Sequence, residues 1–160
     1  MELKDLAIQK LKERGVELDD ICDLSYDLQL KHNPTITKEL CKEELCNLLS
    51  KREVVYAVLT GIAIDKACEE DVFDKEIGKI INDDDPLFGV DEILALSIVN
   101  VEGAIAYTNF GYLDKIKSGI IGKIDVEGKD TDKCTTFLDD IIGALASATA
   151  SRIAHRHNPK

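Results

Sequence analysis

Apolar positions recur at a helical period from the first residues of the chain. Leu3, Leu6, Ala7 and Leu11 fall at i, i+3, i+4 and i+8, and Gly15 follows the charged Lys12-Glu13-Arg14 turn as a stop, which predicts a first helix. Leu18, Ile21, Cys22, Leu24 and Leu28 repeat the pattern, and Pro34 forbids continuation after His32-Asn33, so a second helix spans about 18–31. Thr37 is placed to cap a third helix through Leu40, Cys41, Leu45, Leu48 and Leu49. A fourth is predicted over 53–67, with Gly61 as a weak point inside it. A fifth, over about 74–81, leads into Asn82-Asp83-Asp84-Asp85-Pro86. That acidic run lacks the alternating ligands and closing glutamate of a calcium loop, and reads as a solvated cap with Pro86 at the first position of the next helix.

From 87 to about 108 the chain is apolar nearly all round, the pattern of a central helix wrapped by its neighbours. Gly111, Gly119, Gly122 and Gly128, with charges between them, predict a loop over 109–132 holding one short helix at about 116–124. The last helix starts near Thr135 or Thr136 and runs to about Arg156. Asp140, Gly143, Ala144, Ser147 and Ser151 form a stripe along it that another backbone can approach closely. No segment repeats at a fixed period and no strand pattern is sustained. The expectation is an all-α fold, a single helical domain over 1–160 with six or more helices around the apolar helix at about 87–108, a length and hydrophobic content suited to one core. A small domain with one helix apolar all round is also a candidate for homo-oligomer formation.

Charge narrows the partners. Thirty-one acidic residues against 20 basic ones leave a net charge of -11, which repels nucleic acid and anionic lipid, so an anionic ligand requires local cations or a bound metal. Tryptophan is absent and aromatics are sparse, which removes the usual platforms for single-stranded nucleic acid. Cys22, Cys41, Cys46, Cys68 and Cys134 are scattered without a CxxC pair, the usage of buried thiols in a reducing cytosol. The acidic start Met1-Glu2-Leu3-Lys4-Asp5 is unlike a secretory signal, and the chain is expected to be cytoplasmic. Glu102 interrupts the apolar stretch at 93–113; a carboxylate at the centre of a spanning helix costs about 2.5 kcal/mol or more, so a transmembrane segment is not expected.

The candidate chemistry lies in two adjacent acid pairs. Asp91-Glu92 precedes Ile93-Leu94-Ala95-Leu96, and Asp139-Asp140 sits between Phe137-Leu138 and Ile141-Ile142. Acids in a first helical turn complement the helix dipole at about 0.3–1 kcal/mol each. Large apolar neighbours on both sides of both pairs ask for more, since an unpaired buried carboxylate is costly. A shared Mg2+ site, with Mn2+ as a substitute, relieves that burial and leaves water for a substrate phosphate. Glu102 shares the face of Asp91, yet eleven residues at about 1.5 Å each separate them by roughly 16 Å, so it reads with Asn100 as a buried hydrogen-bonding group. Asp114 offers a third carboxylate, and Lys115, Lys117 and Asn109 are candidates for holding the substrate phosphate. Arg152, His155, Arg156 and His157 suit the carboxyl end of a helix, and His32 stands alone. Neither a G-x-S-x-G elbow nor a P-loop occurs.

Val90-Asp91-Glu92, then Phe110-Gly111-Tyr112-Leu113-Asp114-Lys115-Ile116-Lys117, then Leu138-Asp139-Asp140 resemble in order and spacing the D-E, F-R-x-x-D-x-x-K-P and L-D-D motifs of the phosphatidylglycerophosphatase A family, and more closely its soluble YutG-like branch. The resemblance covers about 89–152. Gly111 stands where the family has arginine, and Ser118 replaces its proline. The resemblance implies an all-helical, Mg2+-dependent phosphatase of lipid metabolism that removes the terminal phosphate of phosphatidylglycerophosphate or a related phosphate ester. It implies acidic site and metal residues Asp91, Glu92, Asp114, Asp139 and Asp140, with Lys117 facing phosphate and any membrane contact peripheral. Two other readings compete: an all-helical nucleotide pyrophosphohydrolase, to which Glu39, Glu43 and Glu44 lend slight support, and a non-catalytic interaction protein retaining the scaffold.

Overall fold

The longest helix decides the arrangement of the others. In the computed structural model, which describes residues 1–157, the chain folds into α1 (Leu3–Glu13), α2 (Leu18–Leu30), α3 (Lys38–Leu48), α4 (Arg52–Glu69), α5 (Lys75–Asn82), α6 (Val90–Val99), α7 (Ala104–Ile116), α8 (Gly119–Asp130) and α9 (Leu138–His157), with no strand among the described residues. Every residue of α9 from Leu138 to Ile153 is buried. Helices α2, α3, α4, α6, α7 and α8 lie against it, while α1 and α5 pack on α4 from outside.

The all-α class stands, but the central helix is α9 and not the stretch at 87–108. That stretch is broken: α6 ends at Val99, and Gly103, at φ 86°, turns the chain into α7. Much of its apolar character faces outward, with Val90 51% and Ile93 67% exposed. α9 owes its burial to small residues. A Cβ at Gly143 would meet the Phe110 ring at 3.6 Å, and Ser151 donates a hydrogen bond to the Glu102 carbonyl at 2.9 Å, so the predicted stripe is where α7 seats.

Two further expectations are corrected. The region 109–132 is helical in α7 and α8, because Gly128 serves close packing: a Cβ there would run into the Thr135 side chain. Pro86 does not open α6. Asp85 accepts from Leu87 N at 2.9 Å and closes a turn to Phe88 N, and the helix begins after Gly89. The cap at Thr37 is as expected, accepting from Leu40 N at 3.2 Å.

A helix wrapped on all sides has to satisfy its polar ends through its neighbours. Asp65, fully buried on α4, accepts from Phe137 N and Leu138 N, both at 2.9 Å, and so caps α9 from another helix. The lead-in is held further by Glu69, which accepts from Cys134 N at 2.8 Å and pairs with Arg14 just past the end of α1, and by Arg14 itself, which donates to the Cys134 carbonyl at 2.7 Å. Thr136 Oγ1 donates to Ile81 O at 2.6 Å. Toward the other end, Arg152 is not an exposed helix-end cation. It is 3% exposed and donates to Glu44 at 2.9 Å and Glu102 at 2.8 Å, because α9 is still enclosed there and a lone guanidinium would lack water.

Gly61 is a contact point and not a defect: a Cβ there would run into Ile141 Cδ1 and crowd Leu94 at 3.1 Å. Gly61→Ala is therefore expected to lower stability by about 1–3 kcal/mol in urea unfolding, whereas Gly111→Ala, with open space around it, does not. Burial pushes the Asp65 carboxyl up to about 7 despite its two backbone donors. Its folded pKa thus exceeds the unfolded one, and the folded state retains a proton that the unfolded state has lost. The stability advantage of the wild type over Asp65→Asn should shrink as pH rises from about 4 to about 7 and then level off. An advantage that grows over that window contradicts this protonation.

Candidate active site

Three helix ends and one turn converge beside the start of α9. Asp139 and Asp140 occupy its first turn and are 4% and 5% exposed. Asp91 comes from the first turn of α6 and is also buried, while Glu92 beside it points outward. Asp114 comes from the last turn of α7, and Lys117 follows just past the end of that helix at φ 49°. That left-handed conformation is strained for a lysine, and strain of this kind collects at functional sites.

The contacts are specific. Lys117 Nζ donates to Asp114 Oδ1 at 2.9 Å and to Asp139 Oδ2 at 3.0 Å. The other Asp139 oxygen accepts from Asp140 N at 2.9 Å. On top of burial, the Asp91 carboxyl lies close enough to Asp140 to push its pKa up, a juxtaposition of two carboxyls that a proton or a cation relieves.

The electrostatics follow from that crowding. Burial first, and then Asp139, Asp91 and Asp114, hold the Asp140 carboxyl far above the usual carboxylate range. Burial also raises Asp139, against the pull of Lys117. Burial followed by Asp91 raises both Asp84 and Glu92. Burial alone would lower the Lys117 ammonium, but Asp139 and Asp114 override it and keep the charge on. One ammonium thus faces at least four carboxyl groups.

Such a donor set fits a hard divalent cation, since all its groups are oxygens and the excess of negative charge is local. Among the described residues, no three His, Cys, Asp or Glu side chains form a ready metal cage. Mg2+ does not need one, because it is usually held by one or two carboxylates and keeps several waters.

Of the residues expected from sequence, Asp91, Asp114, Lys117, Asp139 and Asp140 are brought together, with Glu92 at the rim. Lys115 is exposed beside them, and Asn109 lies in a different cleft, with Gln29 and His32. Sequence reasoning missed Asp84 and Asp125, which share a polar cavity of about 400 Å3 with Asp139 and Lys129. Asp84 sat within the run read as a solvated cap; its φ of 50° is visible only in the fold. Glu102 is a structural group, as expected, accepting from Lys51 and Arg152.

Among curated proteins, the chain is 47% identical over 156 residues to the uncharacterized protein YpjQ of Bacillus subtilis, covering 98% of this chain and 86% of that one. It is 46% identical to YutG of the same organism, over 98% and 92% of the two chains. A solved structure from Bacillus stearothermophilus, a protein of unknown function, superposes with a TM-score of 0.92 at 51% identity, covering 98% of this chain and 97% of that one. The family model for phosphatidylglycerophosphatase A matches residues 21–155, extending the likeness from the three acidic motifs back through α2, α3, α4 and α5. With all of these acidic motifs inside the matched region, the chain belongs to the phosphatidylglycerophosphatase A family.

Proposed function

We propose that this protein is a Mg2+-dependent phosphatase that hydrolyses the phosphate monoester of phosphatidylglycerophosphate or a related phosphate ester. The observation that carries the reading is the Lys117 ammonium bridging Asp114 and Asp139 beside the buried Asp91 and Asp140 carboxyls. One or two carboxylates drawn from Asp91, Asp114, Asp139 and Asp140, with Glu92 at the rim, would hold the ion. When bound, the ion supplies a Lewis acid that polarises the phosphoryl group. Lys117 would neutralise charge that develops on the phosphoryl oxygens, and its carboxylate partners keep it protonated. In the hydrolysis a water oxygen bonds to phosphorus, the ester P–O bond breaks, and the departing oxygen takes a proton.

Contact with a lipid substrate is proposed to be peripheral. No helix among the described residues is long and apolar enough to cross a membrane. Leu87, Val90 and Ile93, all well exposed, flank Asp91 and Glu92 and offer apolar surface at the mouth of the site. A cytoplasmic location is part of the same proposal. The pyrophosphohydrolase alternative loses its sequence support, because Glu44 is engaged by Arg152 and Glu39 and Glu43 are exposed on α3.

The test is phosphate release with Mg2+ from phosphatidylglycerophosphate in mixed micelles, from soluble phosphate monoesters and from nucleoside triphosphates. Phosphate should appear from a monoester and vanish with chelator, and Asp91→Asn or Asp139→Asn should lower the rate at least about a hundredfold while circular dichroism stays unchanged. Full activity in either variant, or pyrophosphate as the product, overturns the proposal.

A further inference from the structure

A second cavity lies well away from the acidic cluster. It has a volume of about 450 Å3 and is formed where α2, the start of α7 and the end of α9 meet. Ala154 on its wall follows Asp140 by fourteen residues of α9, about 21 Å at the helical rise, so the two sites do not share a ligand.

Two carboxamides line this cavity from facing helices, Gln29 of α2 and Asn109 of α7. Both carry a buried atom without a hydrogen-bond partner, Gln29 Oε1 and Asn109 Nδ2, and Gln29 is only 3% exposed. An unpaired amide atom costs about 1–3 kcal/mol, and natural proteins keep few of them, so a pair at one cavity needs a reason. Thr108, by contrast, is satisfied within its own helix through the Ala104 carbonyl.

The lining chooses the ligand. The wall carries no Asp, Glu, Lys or Arg and a single imidazole, His32, so an ammonium would find no counter-charge and a phosphate no permanent one. Ala104, Ile105 and Ala154 supply apolar surface that suits the flat face of a ring better than the hydroxyls of a polyol. A carboxamide presents a donor and an acceptor side by side, the pattern that pairs with the donor and acceptor edge of a purine or pyrimidine. We infer that this cavity binds a neutral heterocycle of the nucleobase class, base or nucleoside, with Gln29 and Asn109 reading its polar edge. A cavity of this size suits such a ligand.

The test is calorimetric titration of the intact protein with adenosine, guanosine, cytidine and uridine, and with ribose and glycerol as controls. At least one nucleoside should saturate at or below about 1 mM, and ribose and glycerol should not. Gln29→Met should weaken that binding at least about tenfold, because it removes the polar edge at similar volume, and Asp140→Asn should leave it unchanged. Ile105→Glu, at a position already 37% exposed and so tolerant of change, should abolish it even if Gln29→Met unfolds. Absence of saturation by every nucleoside, equal binding of ribose, or binding that survives Ile105→Glu overturns the inference.

Discussion

The whole structure depends on the burial of α9. A helix enclosed along sixteen consecutive residues has no water at its first turn or along most of its length, so every polar group there needs a protein partner. Asp65 provides the partners for two backbone N–H groups at the start, and the Arg14–Glu69 pair fixes the segment that leads into it. Nearer the other end, the Arg152 guanidinium is neutralised by Glu44 and Glu102, which brings α3 and the α6–α7 turn against the same helix. Removing one partner of such a group leaves a buried charge, a loss of about 3–5 kcal/mol.

The Ser147 and Thr149 hydroxyls of α9 are buried without a partner, and the candidate active site is a second place where that rule is not met by protein alone. Asp139 and Asp140 lie directly after the capped turn, and the elements that enclose them bring more carboxyl groups than ammonium groups, with Lys117 in direct contact and Lys129 in the adjoining cavity. A fold selected for stability alone would put apolar residues at these positions. Perturbed carboxyls around a strained lysine, in a cleft, mark this as the candidate functional site.

The helical periodicity of the sequence made the class and the first five helices readable, and the order of the acidic motifs made most of the cluster readable. What was misread has a common physical cause. Apolar content marked 87–108 as central, yet Val90 and Ile93 face outward, while α9 is buried through Gly, Ala and Ser residues whose role is close approach. The glycines of 109–132 suggested loops because glycine has two uses, turning and packing, which composition cannot separate. Asp65 and Asp84 were silent for another reason: a cap supplied by a different helix, and a turn residue folded back over a cluster, depend on contacts between distant segments. Arg152 had the place of an exposed helix-end cation, and only the enclosure of α9 turns it into an ion pair.

The carboxyl cluster at the start of α9 is our proposed divalent cation site. It is tested most directly by titrating the purified protein with Mg2+ in a calorimeter, alongside Asp140→Asn and the distant substitution Glu43→Gln. Wild type and Glu43→Gln should bind saturably, and Asp140→Asn should lose that binding. Absence of saturable binding by the wild type, or binding that Asp140→Asn leaves intact, would contradict it.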